Sequence, residues 1–159
     1  MEEQEKYVLG DLLKERGWTL SAAESLTGGG FGYEITSHPG SSSYFKGTIC
    51  TYVNEIKGKL GVSKATLDQF GAVSKECALE MALNAQEFFG TDVAVSFTGN
   101  AGPTALENKP VGMVYIGVAI KDRTFVYGNI FDGDRQAIRR KSIEFGISVI
   151  SDLIEELNF

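Results

Sequence analysis

The segment Ala22-Ala23-Glu24-Ser25-Leu26-Thr27-Gly28-Gly29-Gly30 constrains this chain more than any other. A short strand-like run, Trp18-Thr19-Leu20-Ser21-Ala22, leads into a serine, a threonine and three consecutive glycines, after which the pattern turns helical. A strand, a tight corner and a helix in that order belong to an α/β fold. Glycine at the corner lets backbone N–H groups face a ligand without a Cβ in the way. The helix N-terminus behind carries partial positive charge, which suits an oxyanion or a phosphate. Ser25 stands at the corner, where its hydroxyl can attack a bound carbonyl. The same residues also fit a plain N-cap at Ser25 or Thr27, with glycines for close helix contact. The segment alone leaves both readings open.

The remainder alternates helix and strand, with no linker and no internal repeat, as one domain over residues 1–159. Residues 4–16 read as an amphipathic helix with Val8, Leu9, Leu12 and Leu13 as its stripe, ended by Gly17. The first strand covers about residues 18–23, and a glycine-rich helix runs from Gly28 to Ser37. Segment 45–53 alternates between two faces, and short helices follow at 55–60 and 64–70. Ser74 caps a helix that ends at Gly90, with Ala78, Met81, Ala85 and Phe88 on its inner face. Residues 92–98 form a buried strand, and 111–120 with 124–131 a hairpin. A helix from Asp134 to Leu157 completes a mixed sheet with helices on both faces, a three-layer α/β/α domain.

Composition excludes several classes. Hydrophobic residues make up 43% and charged residues 23%, with a net charge of −6 and no Lys/Arg cluster to track a phosphate backbone, which argues against nucleic acid. No apolar run reaches the roughly 20 residues of a membrane span. The start, Met1-Glu2-Glu3-Gln4, is acidic and not a signal peptide, so a cytoplasmic location is expected. Cys50 and Cys77 match no metal or redox spacing and are expected as buried reduced thiols. A Ser-His-Asp triad would need the lone His38, which precedes Pro39 in a loop and is singled out by nothing. No metal and no cofactor is implied.

Three further segments can carry chemistry. Tyr52-Val53-Asn54-Glu55-Ile56-Lys57 spans a strand's end and a helix's start, where Lys57 opposes the helix dipole. Buried beside Ser25 it can lose its proton and act as a base; otherwise it is a solvated surface lysine. Thr98-Gly99-Asn100-Ala101-Gly102-Pro103 follows a buried strand, where open α/β sheets bind ligands, or is simply a turn. Arg135 and Arg139 share one face at the start of the last helix, either holding an anion or joining a surface salt-bridge cluster.

Taken together, these segments resemble the C-terminal domain of the competence/damage-inducible CinA family, whose members also occur alone as nicotinamide-nucleotide amidohydrolases. The resemblance rests on residues 23–29, Pro39-Gly40-Ser41-Ser42, residues 51–57, Gly71-Ala72-Val73-Ser74, residues 98–103, Lys109-Pro110-Val111-Gly112 and Gly133-Asp134-Arg135, in the family's order, and covers about residues 5–157. It implies hydrolysis of the carboxamide of nicotinamide mononucleotide to nicotinate mononucleotide and ammonia by a serine–lysine mechanism that needs no metal. It implies Ser25 as nucleophile, Lys57 as base, and Tyr52 relaying a proton or orienting Lys57. Amides at Thr27, Gly28 and Gly29 would hold the oxyanion. Arg135 or Arg139, with the Ser41-Ser42 corner, would hold the phosphate, and Asn54 and Asn100 would border the substrate. The chain departs from the family pattern at Leu26, Asn100 and Thr104-Ala105-Leu106. A non-catalytic nucleotide-binding or interaction domain is the alternative. The last helix is expected to serve also as a homo-oligomer surface, because Ile143, Ile147, Ile150, Ile154 and Leu157 form one seam and Phe145, Val149 and Leu153 a second flank.

Overall fold

The structure, a computed structural model, describes residues 3–157, with side chains from residue 8 onward. Helix α1 (Glu3–Arg16) leads to strand β1 (Leu20–Glu24), helix α2 (Gly30–Thr36), a 3-10 turn at Ser41–Ser43 and strand β2 (Phe45–Cys50). Helices α3 (Asn54–Leu60), α4 (Lys64–Phe70) and α5 (Lys75–Phe89) follow, then strands β3 (Val93–Gly99), β4 (Met113–Ile120) and β5 (Arg123–Ile130), and helix α6 (Arg135–Glu156). The sheet order is β2-β1-β3-β4-β5; β1 runs parallel to both neighbours, and β3-β4-β5 is antiparallel. This is the expected mixed sheet.

Strand alternation sorts side chains into two layers. Leu20 and Ala22 of β1, Val93, Val95 and Phe97 of β3, and Val114 to Ile120 of β4 at alternate positions form one core with α1, α2 and α6. Ala23 and Ala94 face the other way and meet Cys77, Met81 and Ala85 of α5. The second face is lined by small residues, so α5 lies close: Ser96 Oγ donates to the Ala78 carbonyl at 2.5 Å. Side-chain caps fix the helix starts, Ser74 accepting from the Cys77 amide and Asp134 from that of Ala137.

Four details differ from the sequence reading. Phe88 is 66% exposed, while Phe89, one residue on, packs against the α5 core. Cys50, at the end of β2, is exposed; Cys77 is buried, and burial pushes its thiol up to about 11. Val8 is exposed, and only Leu9 and Leu13 of that stripe are fully buried. On α6, Ile147, Ile150, Leu153 and Ile154 are buried within the chain itself. Its second flank is covered too: Phe145 lies edge-on to Tyr127 and Phe131, at 5.8 and 6.1 Å between ring centroids. No large apolar side chain of α6 is exposed, and Ile143, Phe145 and Val149 are half-buried. The antiparallel β4–β5 extension is what supplies that extra cover.

Candidate active site

Ser25 follows β1 directly and is held in the sheet, its amide donating to the Phe97 carbonyl of β3 at 2.9 Å. The carbonyl before it, Glu24 O, accepts Thr51 N at 2.7 Å, which brings the end of β2 alongside. That places residues 51–57 next to the corner. Lys57 is 1% exposed, and Ser25 only 7%. As an ammonium, Lys57 donates to Ser25 Oγ at 2.9 Å, to Thr51 O at 2.7 Å and to Tyr52 O at 3.0 Å. Burial moves the Lys57 pKa below its ordinary 10.5, against smaller opposing pulls from Cys77 and Glu107. The dipole argument from sequence falls away, because α3 has only seven residues and Lys57 lies in its last turn as well.

The corner itself is organised from within. Glu24 is fully buried; its carboxylate accepts Phe31 N at 2.8 Å, Gly32 N at 3.1 Å and Thr48 Oγ1 at 2.7 Å. The chain's own carboxylate therefore occupies the first-turn amides of Phe31 and Gly32 in α2, just beyond the Thr27, Gly28 and Gly29 amides expected to hold an oxyanion. Gly28 and Gly29 take φ of 55° and 96°, left-handed conformations open to glycine, and the Gly28 amide donates to Ser25 O at 3.0 Å. These glycines serve the turn.

Ser25 and Lys57 border a cavity of about 590 Å³. Its lining includes Leu26, Tyr52, Asn54, Asn100 and Arg135, but not Thr27, Gly28, Gly29 or Arg139. Tyr52 contributes in two ways. Its carbonyl orients Lys57, while its ring is 53% exposed and its hydroxyl accepts Arg135 Nη2 at 2.9 Å. The phenol is thus engaged at the rim. Arg135 also donates from Nη1 to Gly102 O at 2.6 Å. Arg139 instead binds the corner from behind, donating to Leu26 O at 3.0 Å and Thr27 O at 3.3 Å, and borders a separate hollow with Thr27. Asn100 turns its side-chain amide to Leu106 O and Lys109 O, each at 3.1 Å, and so organises the following loop.

Ser41 and Ser42 are not brought to the cluster. They precede β2, whereas Ser25 follows β1; the two strands are parallel, with Leu20 opposite Phe45 and Glu24 opposite Cys50. At about 3.3 Å per residue, the two ends lie on the order of 15 Å apart. The sequence reading missed Thr51 and Glu24, whose roles are tertiary: one offers a carbonyl, the other caps a helix seven residues ahead.

Comparison with known proteins agrees with this architecture. The family description "CinA C-terminal domain" matches residues 2–154. A competence-damage inducible protein from Bacillus subtilis is 46% identical over 144 residues, covering 90% of this chain and 35% of the relative. One from Bacillus pumilus is 44% identical over 145 residues, covering 91% and 35%. The chain thus spans about a third of the length of these curated relatives. The crystal structure of the competence damage-inducible protein A from Klebsiella pneumoniae superposes with a TM-score of 0.95 at 26% identity, covering 98% of each chain. That of a competence/damage inducible protein from Agrobacterium tumefaciens gives 0.88 at 30% identity, covering 96% of this chain and 97% of the other. With that match along nearly its whole length, the chain belongs to the CinA C-terminal domain family.

Proposed function

We propose that this protein hydrolyses the carboxamide of nicotinamide mononucleotide to nicotinate mononucleotide and ammonia. The observation that carries the proposal is Lys57 Nζ, almost wholly buried and 2.9 Å from Ser25 Oγ at the wall of a ligand-sized cavity. A neutral Lys57 keeps two N–H donors for the Thr51 and Tyr52 carbonyls and turns its lone pair to the Ser25 hydroxyl. The same three distances serve that state without rearrangement.

Lys57 then takes the Ser25 proton as Oγ bonds to the amide carbon, and returns it to the departing nitrogen as ammonia leaves. Water, activated by the same amine, cleaves the acyl-serine to the carboxylate. The Leu26 amide borders the cavity, donates to no acceptor among the described residues and directly follows Ser25, which suits it to the oxyanion. We assign the phosphate to Arg135 at the rim, with Asn54 lining the same cavity. From its composition and acidic start we also take the protein to be cytoplasmic, and from the family resemblance homo-oligomeric; a monomeric mass by light scattering contradicts the second point.

Ammonia release from nicotinamide mononucleotide tests the activity, with S25A as control. A nucleotide-binding domain without turnover is the second reading, favoured by Thr104 and Leu106 standing in the cavity wall, within the Thr104-Ala105-Leu106 stretch that departs from the family pattern. Binding without ammonia release would support it.

A further inference from the structure

Two stretches far apart in sequence form the cavity wall away from the Ser25 corner: Ala72 and Val73, between α4 and α5, and the loop after β3 that carries Thr104, Leu106 and Glu107. One carboxylate joins them. Glu107 Oε2 accepts the Ala72 amide at 2.9 Å, and Oε1 accepts the Val73 amide and Lys109 Nζ, each at 3.1 Å. Lys109 continues the join, donating to Phe70 O at 2.7 Å and to Val73 O. The approach depends on Gly71, at φ +81°, where a Cβ would stand 2.3 Å from Glu107 Oε1. Glu107 and Asn108 themselves take φ of 58° and 56°, left-handed conformations that are routine for asparagine but uncommon for glutamate. Burial alone would raise the Glu107 carboxyl, but Lys109 and the two amides outweigh it and hold it below the usual range.

We propose that Glu107 is a positioning residue, pinning the loop after β3 to residues 71–73 and so setting the wall that holds substrate against Ser25 and Lys57. The proposal rests on the amidohydrolase reading. Glu107 touches neither reacting atom; beyond its small charge pull on Lys57, it acts by anchoring the stretch of wall that it shares with Thr104 and Leu106. Its removal therefore weakens substrate binding more than the chemical step.

The test compares E107A, E107Q and the unaltered protein with nicotinamide mononucleotide. E107A should raise KM about 10-fold with kcat changed less than about 3-fold. E107Q, which keeps the length and one acceptor oxygen but turns an N–H₂ toward a donor, should recover part of that loss, with KM raised about 3-fold. Without any substrate, hydrogen exchange at the Ala72 and Val73 amides should quicken at least about 10-fold in E107A. An unchanged KM, equal losses in kcat and KM, or unchanged exchange at both amides overturns the proposal. Should E107A fail to fold, E107Q decides alone: a KM raised about 3-fold supports the clamp, and an unaltered one overturns it. If the unaltered protein binds the nucleotide but releases no ammonia, the amidohydrolase reading fails. The dissociation constant then replaces KM, and equal affinity across the three proteins overturns the clamp. Absence of binding as well overturns both.

Discussion

A buried lysine must find acceptors for its ammonium or give up its proton, and Lys57 is built for both. Thr51 O, Tyr52 O and Ser25 Oγ satisfy the charged form, while burial favours the neutral one. Only the neutral amine can accept the Ser25 proton, and its fraction rises with pH through the Lys57 pKa. Because that value is moved below 10.5, kcat/KM should climb along a limb centred below 10.5. K57R, which keeps a permanent charge, should lose about 10³-fold or more in turnover, a loss that raising the pH does not repair. Activity retained in K57R would give the base role to another group. The two arginines should separate as well. R135A should raise KM about 10-fold or more for the nucleotide and leave the phosphate-free nucleoside unaffected; equal losses on both substrates would refute a phosphate role. Arg139, which binds Leu26 O and Thr27 O, should instead show in kcat and stability. Ser25, Tyr52, Asn54, Lys57, Asn100 and Arg135 were legible as candidates because each stands at a strand end or helix start. Sequence spacing could not separate Arg135 from Arg139, since one helix face carries both and the guanidinium reach of each is set by what lies opposite.

At the scale of elements, the decisive unit is the β1–α2 corner, where Glu24 takes the Phe31 and Gly32 amides that follow the glycine run. E24Q replaces one acceptor oxygen with an N–H₂ facing a donor, and should destabilise the fold by roughly 1–3 kcal/mol in chemical denaturation. It should also lower kcat, since Ser25 is the next residue; unchanged stability would mean that the cap contributes little. Helix starts at Ser74 and Asp134, and helix ends at Gly71 and Gly90, were readable because caps are local chemistry. Which face a helix turns inward was less so. The choice between Phe88 and Phe89 depends on about 100° of helix rotation, which a single apolar pair does not resolve. On α6, apolar residues all round implied a partner, but β5 and Phe131 supply it from within the chain. Gly146 marks a second close fit, to β3: an added Cβ would stand 2.6 Å from the Phe97 ring. G146A should therefore cost about 1–3 kcal/mol in unfolding free energy, and a neutral result would mean that the ring can move aside.

Across the whole molecule, the position of the site follows from topology. The chain leaves β1 for β2 on one side and returns to β3 on the other, so the carboxyl ends of β1 and β3 flank a switch point where open α/β sheets bind ligands. Ser25 extends one end, and Thr98 to Gly102 the other. The alternation of elements made the layers legible, whereas the strand order, which depends on non-local pairing, was not. The opposite end of the sheet holds Ser41 and Ser42, apart from the chemistry. The central claim, that this arrangement makes the protein an amidohydrolase, is tested most directly by quantifying ammonia and nicotinate mononucleotide from nicotinamide mononucleotide with the unaltered protein and with S25A. An amidohydrolase releases the two products in equal amounts, at a rate about 10³-fold or more above that of a folded S25A. Equal rates for the two proteins, or no ammonia from either, would contradict it.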